Sequence, residues 1–298
     1  MSAKRENLVF VRAGKSSLHR QWFDADEYRN WDLQISTWED DPSIAEGSDL
    51  PLSVDKGTKW DSIYRYLAAN PQVMDDYRYI AFMDDDVLFE KGALNRYFDI
   101  CKEEGLRVAQ PSLHHDSYFC YSILLHCPHT KLRYSNFVEC MAAAIHTDYL
   151  RSFMPRMAKV QSGWGMDRIW TVTMPDPCYK SAIIDEIVML HTRPHATGVV
   201  YKAFADGGVT PKTEMDALIN SYSDIPRKML IYGAKGVHGD KLNASSAQLV
   251  NGRHLLANAW RYREPRRAAK TGAGMLLRAV TEAQYLPVAA HRLKTETL

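Results

Sequence analysis

The 298-residue chain carries 37 Lys and Arg residues against 36 Asp and Glu residues, and 46% of its residues are hydrophobic. This composition is typical of a globular protein that can bury a full core, as one large domain or as one domain with a C-terminal appendage. The formal net charge of +1 creates no global field that would recruit nucleic acid, so we expect no nucleic-acid partner.

Two features favour a cytoplasmic location. The five cysteines are odd in number and lack Cys-x-x-Cys spacing, which favours reduced thiols over a disulfide framework. Residues 1–7 are polar and charged without the apolar segment of a signal peptide behind them, and no run approaches the roughly 18 apolar residues of a membrane span.

Strands alternate with helices in the first third of the predicted structure. Short apolar runs predict four strands, at 8–11, 31–37, 79–83 and 107–110. The second of these alternates apolar and polar residues and is therefore predicted to be half-buried. Apolar residues at helical spacing predict two helices, at 59–69 and 94–101. This order is typical of an α/β fold with crossover helices and a mostly parallel, mixed sheet.

Beyond Pro111 the apolar pattern changes. The run 134–145 has no amphipathic helical stripe and predicts one long central strand. Two helices and a further strand are then predicted, at 148–154 with Thr147 as a cap, at 166–172, and at 182–190. Leucines between residues 240 and 260 predict a helical tail that is broken or kinked near Gly252.

Three consecutive carboxylates, Asp84, Asp85 and Asp86, directly follow the apolar run 79–83. Carboxylates packed this closely repel one another unless a hard divalent cation neutralises them. In α/β sheets, ligands collect outside the carboxyl ends of the strands. We therefore interpret Asp84 and Asp86 as an Asp-x-Asp pair that holds Mg²⁺ or Mn²⁺ against a nucleotide diphosphate. A solvated acidic turn is the alternative.

A third metal ligand is expected from another strand end. His191 follows the predicted strand 182–190 and is the best placed candidate, with His195 and His238 as weaker substitutes. The alternative is that His191 is a hydrogen-bonded structural histidine.

The segment 163–167, Gly-Trp-Gly-Met-Asp, contains the candidate for a general base. Its glycines let the backbone approach a substrate, Trp164 offers a flat face for a sugar ring, and Asp167 can accept a proton. Alternatively, Asp167 is an acid at a helix N-terminus that interacts with the helix dipole.

Two pairs of cations could bind phosphate oxygens. They are Arg12 with Lys15 after the first strand, and Lys56 with Lys59 before the first helix. Solvated surface charge is the alternative for each of them.

Three pieces of the sequence resemble GT-A-type glycosyltransferases, specifically the metal-dependent inverting enzymes. They are the strand ending in Asp84–Asp86, the segment 163–167, and the strand reaching His191. The segment 163–167 is similar to the Trp-Gly loop of inverting galactosyltransferases, whose aspartate acts as a base, although Met166 stands where that family has Glu. Over roughly residues 6 to 205, the chain also resembles the uncharacterised DUF707 family, which is suspected of glycosyl transfer.

The resemblance implies a GT-A-like catalytic domain at 1–235, followed by a helical, basic extension at 236–298. It implies transfer of a sugar, with inversion, from a nucleotide-sugar donor such as a UDP-hexose to a hydroxyl of a glycan or lipid-linked acceptor. Asp167 would be the base, and the ion at Asp84, Asp86 and His191, helped by Lys15 or Lys59, would stabilise the departing phosphate. Asp85 would contact the ribose or the sugar.

Other functions fit the sequence less well. A haloacid-dehalogenase-like phosphatase would use Asp84 of Asp84-x-Asp86 as nucleophile, but its motif continues with x-Thr or x-Val, whereas Val87 is followed by Leu88. A P-loop at Gly14-Lys15-Ser16 would need glycine at Val9. A catalytically inactive sugar-binding module remains an alternative. A zinc site is possible in composition, although the spacing matches no standard finger, among His114, His115, Cys120, His126, Cys127 and His129.

The segment 253–278 carries seven basic residues against one acidic residue. With the apolar residues that follow to position 280, it could form an amphipathic patch that lies on an anionic bilayer and suits a lipid-linked acceptor. This contact would place the chain at the inner face of the membrane. A solvated basic tail is the alternative.

Overall fold

The computed structural model describes residues 4–158, 160–194 and 210–293. The strands in this part of the chain are β1 (Asn7–Arg12), β2 (Trp31–Thr37), β3 (Ser53–Val54), β4 (Tyr79–Met83), β5 (Val87–Phe89), β6 (Val108–Leu113), β7 (Thr130–Ser135), β8 (Ala142–His146), β9 (Ser181–His191), β10 (Ile231–Gly236) and β11 (Lys241–Asn243). The helices are α1 (Lys59–Ala69), α2 (Val73–Asp76), α3 (Ala93–Glu103), α4 (Thr147–Met157), α5 (Met166–Ile169), α6 (Pro211–Asn220), α7 (Ala244–Ala257) and α8 (Pro265–Thr281). The predicted α/β class is confirmed.

The strands form a single mixed sheet in the order β11-β10-β7-β9-β6-β8-β4-β1-β2-β3, with β5 paired to β9 outside this path. Strands β3, β2, β1 and β4 run parallel. Strand β8 is antiparallel to both β4 and β6, and β6 is parallel to β9. The carboxyl ends of β1, β4, β6 and β9 therefore lie at the same edge of the sheet, where α/β folds bind ligands.

Each face of the sheet supports an apolar core, because successive side chains of a strand point to opposite faces. Leu8 and Phe10 belong to a cluster with side chains of α1 and α4. Val9 and Val11 belong to a second cluster with side chains of α3, α7 and α8. Helices therefore pack on both faces of the sheet.

The long strand predicted at 134–145 is wrong, because loop 136–141 separates β7 from β8. Asn136 ends β7: its Oδ1 accepts a hydrogen bond from the Leu230 backbone N–H over 2.7 Å, and its own N–H donates to the Leu230 carbonyl. The chain is thereby fixed to the segment before β10 and turns towards the sheet edge. The strand predicted at 107–110 continues through Pro111, which lies at a register shift against β9 where a missing N–H is tolerated.

Four further local predictions are corrected. Strand β2 is fully buried rather than half-buried, because its polar side chains have buried partners; Asp32, for example, accepts from the Tyr77 hydroxyl over 2.9 Å. His146, not Thr147, caps α4 with its side chain. The helix predicted at 166–172 ends at Ile169. Helix α7 runs unbroken through Gly252, where a Cβ would lie 2.9 Å from the Gly272 carbonyl oxygen, so the glycine permits close packing on α8.

The proposed boundary between residues 235 and 236 falls at the last residues of β10. Strand β11 pairs with β10, and α7 and α8 contribute side chains to the same apolar cluster as α3. The division into a catalytic domain and a C-terminal extension stays a prediction. In the described ranges, no helix combines the length and the apolar character that crossing a membrane requires.

Candidate active site

Asp84 immediately follows β4 and is held by an ammonium group. Lys59 Nζ donates to Asp84 Oδ1 over 2.7 Å, and it also lies 2.9 Å from the Cys140 carbonyl oxygen and 3.2 Å from that of Met141. Lys59 is the first residue of α1, which Thr58 caps by accepting a hydrogen bond from the Asp61 N–H. The start of α1 therefore places one positive charge beside the end of β4.

Asp86 pairs with His191. His191 Nε2 lies 3.2 Å from Asp86 Oδ2, and its Nδ1 lies 2.9 Å from the Tyr118 carbonyl oxygen. The two residues meet because β5 pairs with β9 and places Val87 opposite His191. Burial disfavours the imidazolium, but the carboxylate outweighs it and raises the pKa of His191; burial likewise opposes ionisation of Asp86, yet His191 lowers its pKa. Both groups thus favour their charged forms.

Asp85 points to the loop after β1. Its carboxylate accepts from the Gly14 backbone N–H over 3.1 Å and from Arg193 Nη1 over 3.3 Å. Burial raises the pKa of Asp85 to about 6. Asp85 therefore links the end of β4 to residues that follow β1 and β9. The three consecutive acids thus have different partners, since Asp84 contacts Lys59 and Asp86 contacts His191.

Asp84, Lys59, Trp164 and Asp167 line one cavity of about 300 Å³ at this edge of the sheet. Trp164 is 39% exposed, which leaves its indole accessible to a ligand. The preceding loop is fixed by α6, because Glu214 accepts hydrogen bonds from the backbone N–H groups of residues 161 and 162 over 2.8 and 2.9 Å. The structure therefore brings together a strand-end carboxylate and the Trp-Gly segment, which are distant in the sequence.

Asp167 lies in the wall of this cavity and is buried, with 7% of its surface exposed. Its Oδ1 has no hydrogen-bond partner among the described residues. Burial raises the pKa of Asp167 to about 7, so the carboxyl can exchange a proton near neutral pH. Asp167 also lies in the first turn of α5, so the two roles considered for it from the sequence are compatible.

Glu139 lines the same cavity, although no sequence pattern identifies it as a site residue. It lies in loop 136–141, outside any strand or helix, and its backbone N–H donates to the Gln110 side chain. Its side chain is buried, and Oε2 has no partner in the described part of the chain. Burial, followed by the charge of Asp167, raises the pKa of Glu139 to about 8. The position of Glu139 in the cavity wall follows from the tertiary structure of loop 136–141.

The other predicted phosphate-binding cations, Arg12, Lys15 and Lys56, do not line the cavity that contains Asp84. Arg12 is buried and donates to the Ser36 hydroxyl over 2.8 Å and to the Asp55 carbonyl oxygen over 2.7 Å. Burial lowers the pKa of Arg12 to about 10. Lys15 is exposed and lies 3.3 Å from Asp41 Oδ2, and Lys56 is exposed. Of the four cations, Lys59 alone lines the cavity that contains Asp84.

Asp86 and His191 are in contact, but in the described part of the chain they do not form a compact set of metal ligands with Asp84. Among the described residues, the group of three potential ligands whose atoms all lie within 4.8 Å of one another is His114, His115 and Asp116. Both histidines of this group belong to the set considered for zinc. His195 lies outside the described residues, and His238 lines a different cavity.

Residues 28–137 match a family described as "Protein of unknown function (DUF707)". The match includes the three aspartates but neither the segment 163–167 nor His191. No functionally curated protein matches the chain.

Two solved structures are similar at low sequence identity. "Crystal structure of GalNAc-T7 with UDP, GalNAc and Mn2+" has 8% identity and a TM-score of 0.48 over 67% of this chain and 47% of that chain. The present chain thus spans about half the length of that structure. "Crystal Structure of A197 from STIV" has 10% identity and a TM-score of 0.37 over 80% of this chain and 93% of that chain. Similarity at this level assigns no function.

Proposed function

We propose that this protein is a glycosyltransferase that moves a sugar from a nucleotide-sugar donor, such as a UDP-hexose, to a hydroxyl of a glycan or lipid-linked acceptor. The observation that carries the proposal is the set of residues that line one cavity. It combines the Asp84 carboxylate with its Lys59 partner, an accessible indole at Trp164, and a buried acid at Asp167 whose pKa is near neutral. Apolar walls with a few convergent polar groups are typical of small-molecule sites.

In the proposed reaction, Asp167 accepts the proton of the acceptor hydroxyl while that oxygen bonds to the anomeric carbon. The bond between this carbon and the diphosphate oxygen breaks from the opposite face, so the configuration inverts. Trp164 would stack against a sugar ring, and the Lys59 ammonium would compensate negative charge on the departing phosphate. A base with a pKa of about 7 suits this task, because it is partly ionised at neutral pH yet basic enough to accept the proton.

The donor atoms of Asp84, Asp86 and His191 fit Mn²⁺ or Mg²⁺ in kind, since carboxylate oxygens and one imidazole nitrogen are ordinary ligands of Mn²⁺ and carboxylates those of Mg²⁺. The Tyr118 carbonyl oxygen near His191 Nδ1 is the kind of neighbour that orients a ligating imidazole. A bound ion would supply charge neutralisation at the diphosphate. Lys59 must then share Asp84 with the ion or move towards the phosphates.

The test is a screen of nucleotide sugars with and without Mn²⁺, which measures binding by calorimetry and turnover by release of the nucleoside diphosphate. We expect one donor to be hydrolysed or transferred in the presence of Mn²⁺. Asp167→Asn should abolish turnover and leave donor binding nearly unchanged, whereas an active Asp167→Asn enzyme would reject the assignment of the base. Phosphate release alone would indicate the phosphatase, and binding without turnover would indicate an inactive sugar-binding module.

We further propose that segment 253–280 contacts an anionic membrane surface, where a lipid-linked acceptor would be found. One stripe of α8 is exposed and carries Arg266 and Lys270 followed by Leu277 and Val280, which are 66% and 80% exposed. Trp260 in the preceding turn is 76% exposed. Basic residues beside apolar ones on a single helix face favour the interface of an anionic bilayer.

Co-sedimentation with phosphatidylserine vesicles tests this contact. We expect binding that weakens with salt and is lost in the double variant Arg266→Glu, Lys270→Glu. Lys91→Glu, outside the segment, is the matched control. Equal binding to neutral phosphatidylcholine vesicles, or unchanged binding of the double variant, would refute the membrane contact.

A further inference from the structure

Two acids line the same cavity, and each has one buried oxygen without a hydrogen-bond partner among the described residues. Glu139 and Asp167 are 8% and 7% exposed, and Oε2 of the first and Oδ1 of the second have no hydrogen-bond partner among the described residues. Buried polar atoms in folded proteins almost always have partners. An orphaned oxygen on each of two neighbouring acids therefore indicates a position for ligand hydroxyl groups.

Two hydrogen bonds from side chains to backbone carbonyls join the segments that carry these two acids. The Trp170 indole N–H donates to the Val138 carbonyl oxygen over 2.8 Å, and the Thr171 hydroxyl donates to the Asn136 carbonyl oxygen over 2.6 Å. Both bonds join the segment that follows Asp167 to the loop that carries Glu139. The proximity of the acids is thus built into the fold and does not depend on the orientation of either side chain.

We propose that Glu139 and Asp167 act as one acid pair that shares a proton and binds the acceptor. The ionised carboxylate takes the proton of the attacking hydroxyl, and the protonated partner donates a hydrogen bond to an acceptor oxygen. The new bond joins the acceptor oxygen to the anomeric carbon, the bond to the diphosphate breaks, and the pair returns one proton to solvent before the next turnover. Glu139 is therefore a second catalytic residue. The reaction step rests on the proposed glycosyl transfer, but the acid pair does not.

The surrounding charges support a shared proton. Burial and the charge of Asp167 raise the pKa of Glu139, which Asp84 also raises and His191 and Lys59 lower. Burial raises the pKa of Asp167 and Arg168 lowers it. Among the described residues, the thiols of Cys120 and Cys140 and the hydroxyl of Tyr121 also face both acids. Two neighbouring carboxyls in a desolvated site cannot both ionise easily, so their titration belongs to the pair.

The test is an infrared pH titration of the whole protein that follows the carbonyl stretching band of protonated carboxyl groups. Wild type is compared with Glu139→Gln and Asp167→Asn, and with Glu186→Gln, which removes an exposed acid, as control. We expect the upper midpoint of wild type to lie about one pH unit above the single midpoint left in either cavity variant. The control should keep both midpoints. If the wild-type curve is the simple sum of the curves of the two cavity variants, the acids are independent and the pair is refuted.

Turnover separates this inference from the proposed function. If a nucleotide sugar is turned over, Glu139→Gln should lower kcat on the order of 10²-fold with little change in the donor KM, and should alter the pH profile. An unchanged rate and profile would refute the catalytic role while glycosyl transfer stands. Coupled infrared midpoints without turnover of any donor would support the acid pair and refute the proposed function.

Discussion

Lys59 Nζ donates to Asp84 Oδ1 over 2.7 Å, and three backbone carbonyl oxygens surround the same ammonium group. Lys59 is held by the fold rather than by Asp84 alone, so its charge acts permanently on the first of three consecutive carboxylates. Any divalent cation that approaches Asp84 must overcome this positive charge.

Lys59→Met should therefore raise the affinity for Mn²⁺ by roughly tenfold, because an effective dielectric of about 20 makes a nearby unit charge worth at least 1.4 kcal/mol. Calorimetric titration with MnCl₂ measures the effect. The exposed Lys56→Met variant is the control and should bind as wild type does. Unaltered affinity in Lys59→Met, or full affinity in Asp84→Asn, would contradict a cation site at Asp84.

The buried acids predict an unusual dependence of stability on pH. The pKa of Asp167 is about 7 in the folded protein against 3.8 for an unperturbed aspartic acid. The folded state therefore binds more protons than the unfolded state across this interval, and its stability falls as the pH rises from about 4 to about 7. Asp167→Asn removes the group that causes this fall.

We expect Asp167→Asn to match wild type in its free energy of unfolding at pH 4 and to exceed it by on the order of 2 to 4 kcal/mol at pH 8. Urea unfolding at pH 4, 6 and 8 gives the comparison. The exposed Asp75→Asn variant should show no such trend. Parallel stability curves for wild type and Asp167→Asn would mean that Asp167 ionises normally in the fold.

Local sequence signals found part of the candidate site. Acids directly after an apolar strand indicate a ligand site at Asp84, and a tryptophan between two glycines indicates a flat face for a sugar ring at Trp164; both residues line the cavity. These signals work because a strand end and a glycine turn are properties of a few consecutive residues. The loop between β7 and β8 has no such local signal, because it lies within the apolar run 134–145, which predicts a single strand.

The other site residues are determined by contacts between segments that are distant in the sequence. Nothing in its neighbours distinguishes Glu139 from a surface acid, since its burial depends on the bonds that join its loop to the segment after Asp167. Likewise, the sequence offered Arg12 and Lys59 equally as phosphate ligands. The side chain of Arg12 is used to fix the Asp55 and Gly57 carbonyl oxygens, which only the tertiary structure reveals.

A buried ion pair between the neighbouring strands β7 and β9 predicts a large effect on stability. Arg133 and Asp185 are fully buried and joined by two hydrogen bonds of 2.7 and 2.8 Å. Arg133→Met leaves Asp185 without its counter-charge and should cost about 3 to 5 kcal/mol. Urea unfolding measures this loss. Lys228→Met, which breaks an exposed pair with Glu282, should cost less than about 1 kcal/mol; similar losses in the two variants would contradict the prediction.

Gly163 shapes the loop that presents Trp164. Its φ of +82° is strained for any residue with a Cβ, and an added Cβ would lie 2.1 Å from Trp60 Cδ1. Gly105 has a similar φ of +61° but nothing within 4 Å of an added Cβ. A comparison of alanine substitutions at the two positions therefore separates the cost of backbone strain from the cost of steric overlap.

Gly105→Ala should cost about 1 to 2 kcal/mol, the strain of a left-handed residue alone. Gly163→Ala carries the same strain and must also displace Trp60 or the loop, so we expect a larger loss of unfolding free energy together with weaker donor binding. Urea unfolding and calorimetry measure the two effects. Equal losses in the two variants, with donor binding intact in Gly163→Ala, would show that the contact between Gly163 and Trp60 does not position the tryptophan loop.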